Sequence, residues 1–127
     1  KTAIFLFHIH DGIFWMYQLF VSGKLVDKYN PIPDYWKIFM DEKEKKSWSG
    51  NASLLASIFK IPKKFIEPYL IEWKDTKNKD KKAFPDDEFT IVNEWSMVDF
   101  QKKFGIIYPE FDRSDTLDLL RLKFIKK

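Results

Sequence analysis

TAIFLFHIHDGIFWMYQLFVSGKLVDKY, residues 2–29, is the stretch on which the fold turns. Thr2 to His10 is rich in β-formers, Asp11-Gly12 is a hairpin signal, and Ile13 to Val21 is a second β-rich run. Strand side chains alternate, so Phe14, Met16 and Phe20 point one way while Ile13, Trp15, Tyr17, Leu19 and Val21 point the other. Both faces of this run are apolar, which predicts a central strand or one covered on both sides. Ser22-Gly23 marks a second turn, and Lys24 to Tyr29 reads as a third, more polar strand nearer an edge. The stretch predicts an antiparallel meander of at least three strands.

Tyr29-Asn30-Pro31-Ile32-Pro33-Asp34-Tyr35-Trp36 ends the two-residue period. Each proline fixes φ near −65° and pushes the residue before it toward extended geometry, so Tyr35 and Trp36 are held in a defined direction. The rings either close the core or anchor a partner, and Asp34 is placed to cap the next helix. Beyond this corner the period lengthens to about 3.6. A charged helix is expected over Asp41 to Trp48, and a core-facing one after the N-cap Asn51, with Ala52, Leu55, Ala56 and Phe59 in one stripe. Pro62 opens another helical stretch that Pro68 must break, which predicts two short pieces.

Lys74 to Lys82 contains no apolar residue and is expected to be a mobile charged loop. Phe84 to Phe89 is an acidic turn, and Asn93 to Phe104 a helix stopped by Gly105, with Met97, Phe100 and Phe104 on one face. From Ser114 to Lys127 the spacing of Leu117, Leu120 and Phe124 suits a helix, while Leu120, Leu122 and Phe124 also alternate as a strand would. The whole, residues 1–127, is expected to be a single α+β domain.

The bulk numbers narrow the function classes. A chain of 127 residues can bury about two thirds of its unfolded surface, enough for one core. Aromatic residues make up 18%, so that core should be built largely from rings. Net charge is only +3, from 22 basic and 19 acidic side chains, which gives no strong nucleic-acid signal. The absence of cysteine removes disulfides, thiolate chemistry and Cys-based metal sites, and agrees with a cytoplasmic location. The longest apolar run, Ala3 to Val21, is broken by His8, His10, Asp11, Gly12 and Gln18, so no membrane span is expected. The chain opens on Lys1 rather than Met, which leaves a removed leader open.

His8-Ile9-His10 is the sharpest chemical candidate. Alternate strand positions put two imidazoles on one face about 7 Å apart, with Asp11 beside them, a start toward a metal site. These are the only histidines, so a third ligand would have to be a carboxylate, and no cofactor is expected. Asp86, Asp87 and Glu88 form the second candidate, as a cation site, an acid/base pair, a surface for a basic partner, or a solvated acidic turn where a helix begins. Nucleophilic catalysis has no support: there is no Gly-x-Ser-x-Gly elbow, and the four glycines are isolated.

Three blocks resemble a group of small, uncharacterised bacterial proteins with no established activity. They are Asp11-Gly12 with Trp15, Tyr17 and Gly23 to Asp27; Asn30 to Trp36 with Gly50-Asn51; and Phe84 to Phe89 through Trp95, Asp99-Phe100 and Tyr108-Pro109. The resemblance spans most of the chain and implies an accessory or immunity-type binding protein of bacterial origin. The leading expectation is a non-enzymatic protein-binding module whose surface joins Asp34, Tyr35 and Trp36 to Asp86, Asp87 and Glu88. Competing expectations are a small metal-dependent hydrolase using His8 and His10, and a single-strand nucleic-acid binder.

Overall fold

The computed structural model describes residues 2–37, 39–74, 76, 77 and 79–106. Three strands, β1 (Ala3–His10), β2 (Phe14–Val21) and β3 (Lys24–Tyr29), pair antiparallel in the order β1-β2-β3. Both hairpin loops use residues at positive φ, Asp11 and Gly12 in the first and Ser22 and Gly23 in the second. That backbone twist matches the strands it joins, which is why so short a loop closes each hairpin. The meander and its central strand are as the alternation predicts.

Register decides which side of the sheet becomes core. Phe5 pairs with Leu19, Phe7 with Tyr17 and Ile9 with Trp15, and on the far side Tyr17 pairs with Tyr29. These side chains share one face, where Phe5, Trp15, Tyr17, Leu19 and Tyr29 are buried. A register shift between Leu19 and Phe20 puts an irregularity into the β2–β3 ladder. Such a bulge bends and twists the edge strand.

Helices α1 (Glu42–Ser47), α2 (Ala52–Phe59) and α3 (Ser96–Lys103) follow, with single 3-10 turns at Lys63–Phe65 and Glu67–Tyr69. The two turns are the pieces into which Pro68 was expected to split its segment. Asn51 caps α2 by accepting from the Leu54 N–H at 3.0 Å, and Leu55 is fully buried. Asp41, not Asp34, caps α1, accepting from the Glu44 N–H at 2.8 Å. The Asp34 carboxylate turns instead toward Lys45 and Lys74, at 3.7 and 3.8 Å. α3 starts three residues later than its periodicity suggests, because the Asn93 side chain accepts from the Trp95 N–H and holds the backbone in a turn.

The core is aromatic. Phe100 of α3 is fully buried and lies parallel to Tyr17 at 5.6 Å and beside Trp15 at 5.0 Å, while Phe59 of α2 stacks on Phe5 at 5.2 Å. The Trp15 indole N–H donates to the buried Ser96 hydroxyl, which donates to the Ile91 carbonyl, so ring and helix start are tied together. Stacked and edge-on rings contribute about 0.5–1.5 kcal/mol per pair beyond their area, which makes this ladder a principal source of cohesion.

Among its described residues the Lys74–Lys82 stretch forms no helix or strand. The helix or strand expected over Ser114 to Lys127 lies outside the described residues. No helix among those described is long and apolar enough to cross a membrane.

Candidate functional site

The proline segment runs on from β3 and is pinned at both ends. The Asn30 N–H donates to the Trp48 carbonyl, the Asn30 side chain accepts from the Ile32 N–H, and the Trp73 N–H donates to the Pro31 carbonyl. Tyr35 N–H returns to the Ile32 carbonyl at 3.0 Å, closing a turn with Pro33 and Asp34 at its centre. Asn30, Pro31 and Pro33 are buried, so the corner is rigid before its aromatic residues begin.

Tyr35 and Trp36 emerge from that corner onto the face of the sheet opposite the core. They stand edge to face, 5.5 Å apart, over the end of the first hairpin. Trp36 lies 4.7 Å from the His10 ring and 5.6 Å from Phe14; Tyr35 lies 5.2 and 5.3 Å from the same two. Phe14 is thereby fully buried, whereas Tyr35 and Trp36 keep 41% and 54% of their surface exposed. The two rings thus cover one core residue with part of their area and present the rest to solvent.

The fold brings the histidine pair to this same place. His8 and His10 occupy one face with ring centroids 5.7 Å apart, and His10 Nε2 is 3.3 Å from Asp11 Oδ2. No group of three or more His, Asp or Glu side chains placed to hold a metal ion is found among the described residues. His10 is packed among rings on three sides, as a half-buried imidazole filling a surface aromatic cluster.

The acidic turn makes its contacts elsewhere, on α3 and the second 3-10 turn. Its three acids have different tasks. Asp87 is buried and accepts from the Tyr69 hydroxyl at 2.7 Å and the Phe84 N–H at 3.2 Å. Glu88 is exposed and pairs with Lys102 at 2.7 Å, while Asp86 faces solvent. Asp99, on the first turn of α3, is almost wholly buried and accepts from the N–H groups of Glu88 and Phe89, both at 2.9 Å. Burial pushes its carboxyl above the usual carboxylate range, and the two backbone donors act against that rise. Burial and the neighbouring Asp87 carboxylate push the Tyr69 hydroxyl far up, so it stays a donor.

A half-buried carboxylate, Asp27, organises the other end of the core. The Tyr17 hydroxyl donates to Asp27 Oδ2 at 2.6 Å, and the Asn51 N–H reaches the same oxygen at 3.1 Å. Burial raises both groups, with Asp27 adding to the rise at Tyr17. Among the described residues, Asp27 and Asp99 each accept two hydrogen bonds that tie separate parts of the chain together. The sequence held a signal for each: an acid alternating with core aromatics at Asp27, and one on the apolar stripe of a helix at Asp99.

On the other side of the proline corner lies a cleft of about 410 Å³, lined in part by Pro33, Lys45, Lys46, Trp48 and Glu72. Lys28 sits over the Trp48 ring at 4.2 Å. Glu42 and Glu72 balance Lys45 and Lys46 in its lining, which gives the cleft no dominant sign. Comparison with family models, with curated proteins and with solved structures returned no match.

Proposed function

We propose that this chain is a non-enzymatic protein-binding module, an accessory or immunity-type protein of bacterial origin, whose contact surface is built on Tyr35 and Trp36. The observation that carries this reading is the half-exposed, edge-to-face ring pair on a corner held by buried Asn30, Pro31 and Pro33. Large aromatics whose rotamers are already fixed lose little entropy on binding, and such residues dominate interface energetics. Asp34 serves the surface by geometry, since Lys45 and Lys74 neutralise its charge. Asp86 and Glu88 offer a separate acidic patch for a basic region of the partner, and Asp87 supports that patch from inside. The absence of cysteine and the resemblance of the three sequence blocks support a bacterial, cytoplasmic setting.

The test is a paired capture from native lysate with tagged wild type and the Tyr35→Ala/Trp36→Ala double variant. A central aromatic anchor contributes 2 kcal/mol or more, so the variant should retain its partner about thirtyfold less well. The same partner held at equal strength by both proteins would remove the aromatic pair from the interface.

A further inference from the structure

The two edges of the sheet differ in how they are protected. β3 carries Lys24, Asp27 and Lys28, its ladder with β2 slips between Leu19 and Phe20, and its far end is taken up by a bridge from Tyr29 to Ser49. Charge, a bulge and a covering segment are devices that stop an edge strand from recruiting another. β1, the other edge, has none of them among the described residues. Its eight residues, Ala-Ile-Phe-Leu-Phe-His-Ile-His, include no Lys, Arg, Asp, Glu or Pro, and its register with β2 runs unbroken from Ala3 to His10.

The main chain of β1 is engaged on one side. The Ser22 N–H donates to the Thr2 carbonyl at 2.9 Å, so Thr2 and the alternate residues Ile4, Leu6, His8 and His10 turn their N–H and C=O groups toward β2. Those of Ala3, Phe5, Phe7 and Ile9 point outward, and among the described residues no main-chain partner meets them. The side chains of this edge are open as well. Leu6 is 51% exposed on the face opposite the core, and Phe7 and Ile9 on the core face are half-buried.

We propose that β1 is a homodimer interface, pairing antiparallel with β1 of a second copy about a two-fold axis at Leu6. The strand is complementary to itself in that register. Ala3 meets Ile9 and Phe5 meets Phe7, so every outward N–H and C=O finds a partner. Centring the axis on Phe5 or Phe7 instead would leave Ile9 or Ala3 beyond the end of the partner strand. On the open face Leu6 lies against Leu6 and His8 against Ile4, and no like charges oppose one another. On the core face, Phe7 of the second copy extends the ring cluster in which Phe59 and Phe104 lie 5.2 and 5.3 Å from Phe5. Tyr35 and Trp36 stand over His10, at the strand end away from the axis. Pairing leaves their surface open and stands independently of the binding reading.

The chain has no cysteine, so a single introduced cysteine can crosslink only with its counterpart in another copy. Residues facing each other in a non-hydrogen-bonded pair have Cα atoms about 4.5 Å apart, within disulfide range. In the full chain, Leu6→Cys should form a disulfide dimer about tenfold faster than Leu25→Cys, a comparably exposed position of β3 on the same sheet face. Sedimentation equilibrium of the wild-type chain at about 100 µM should show a dimer. Leu6→Lys sets two ammonium groups against each other at the axis and should weaken that dimer at least about tenfold with the circular dichroism of the fold kept, whereas Leu25→Lys leaves it intact. A monomeric wild type would hand the edge to a strand from another protein and overturn the proposal. Equal crosslinking at the two positions, or a dimer that Leu25→Lys disperses as readily as Leu6→Lys, would overturn it too, since both mean stacked faces in place of paired edges.

Discussion

Replacing Asp99 by alanine withdraws the acceptor of two backbone N–H groups, those of Glu88 and Phe89, each 2.9 Å from its carboxylate. A buried donor left without a partner costs about 1–3 kcal/mol, so the pair costs about 2–6 kcal/mol. Against this stands relief from burying the carboxylate, a penalty visible in the upward shift of its pKa, caused chiefly by desolvation. A net loss of about 3 kcal/mol is expected. At 127 residues the unfolding entropy is about 0.25 kcal/mol/K, so the melting temperature should fall by about 12 °C. Asp86→Ala, in the same turn but exposed, should shift it by no more than about 2 °C. Thermal unfolding followed by circular dichroism compares the two. Because the folded carboxyl titrates above its unfolded value, the protonation-linked part of the Asp99 contribution is complete below the ordinary value of 3.8 and is lost as pH rises through the folded pKa, while its acceptance of the two N–H groups persists. The stability gap between wild type and Asp99→Ala should therefore narrow from acid toward neutral pH. Equal melting temperatures for the two variants would refute the role given to Asp99.

Further outcomes follow from other buried groups. Gln101 is fully buried, and neither its side-chain oxygen nor its nitrogen has a hydrogen-bond partner among the described residues. Gln101→Met removes that penalty at similar volume and should raise stability by about 1 kcal/mol in denaturant titrations, whereas a loss would show that the amide is satisfied in solution. Tyr17, Tyr29 and Tyr69 all have hydroxyls pushed well above the ordinary tyrosine range, chiefly by burial. Their stabilisation is complete below about pH 10 and is lost above it, so their phenolate absorbance should rise together with loss of circular dichroism; ionisation of all tyrosines before unfolding would contradict this. Gly50 sits at φ +72, and a Cβ there would lie 3.0 Å from Leu70 Cδ1 and the Tyr17 hydroxyl oxygen. Gly50→Ala should cost about 2–3 kcal/mol by chemical denaturation, and an unchanged midpoint would show that this corner yields.

The meander was legible because its information is local. Alternation fixes which residues share a face, and Asp11-Gly12 and Ser22-Gly23 fix where the strands reverse. The cap at Asn51 and the break at Pro68 were readable for the same reason, while the cap of α1 falls to Asp41 rather than to the expected Asp34. The function of each acid was not. Asp86, Asp87 and Glu88 are neighbours of the same type, and only the turn, held by Asp99 from eleven residues away, buries one and exposes the others. Asp34 looked like a cap until the turn at Ile32–Tyr35 aimed it at Lys45 and Lys74. The meeting of His10 with Tyr35 and Trp36 was hidden too. It depends on the corner crossing from the edge of β3 to the sheet face opposite the core, a three-dimensional path that no spacing encodes.

On the proposed reading the Tyr35–Trp36 pair is a presented surface more than a part of the core, and denaturant unfolding of Trp36→Ala beside Trp15→Ala tests this most directly. Trp15 is 1% exposed and its indole N–H is spent on Ser96, so its truncation should cost about 3–5 kcal/mol. Trp36, with 54% of its surface in solvent, should cost no more than about 2 kcal/mol, with the dependence on denaturant unchanged. A loss at Trp36 equal to that at Trp15 would make the ring a core residue and contradict the account.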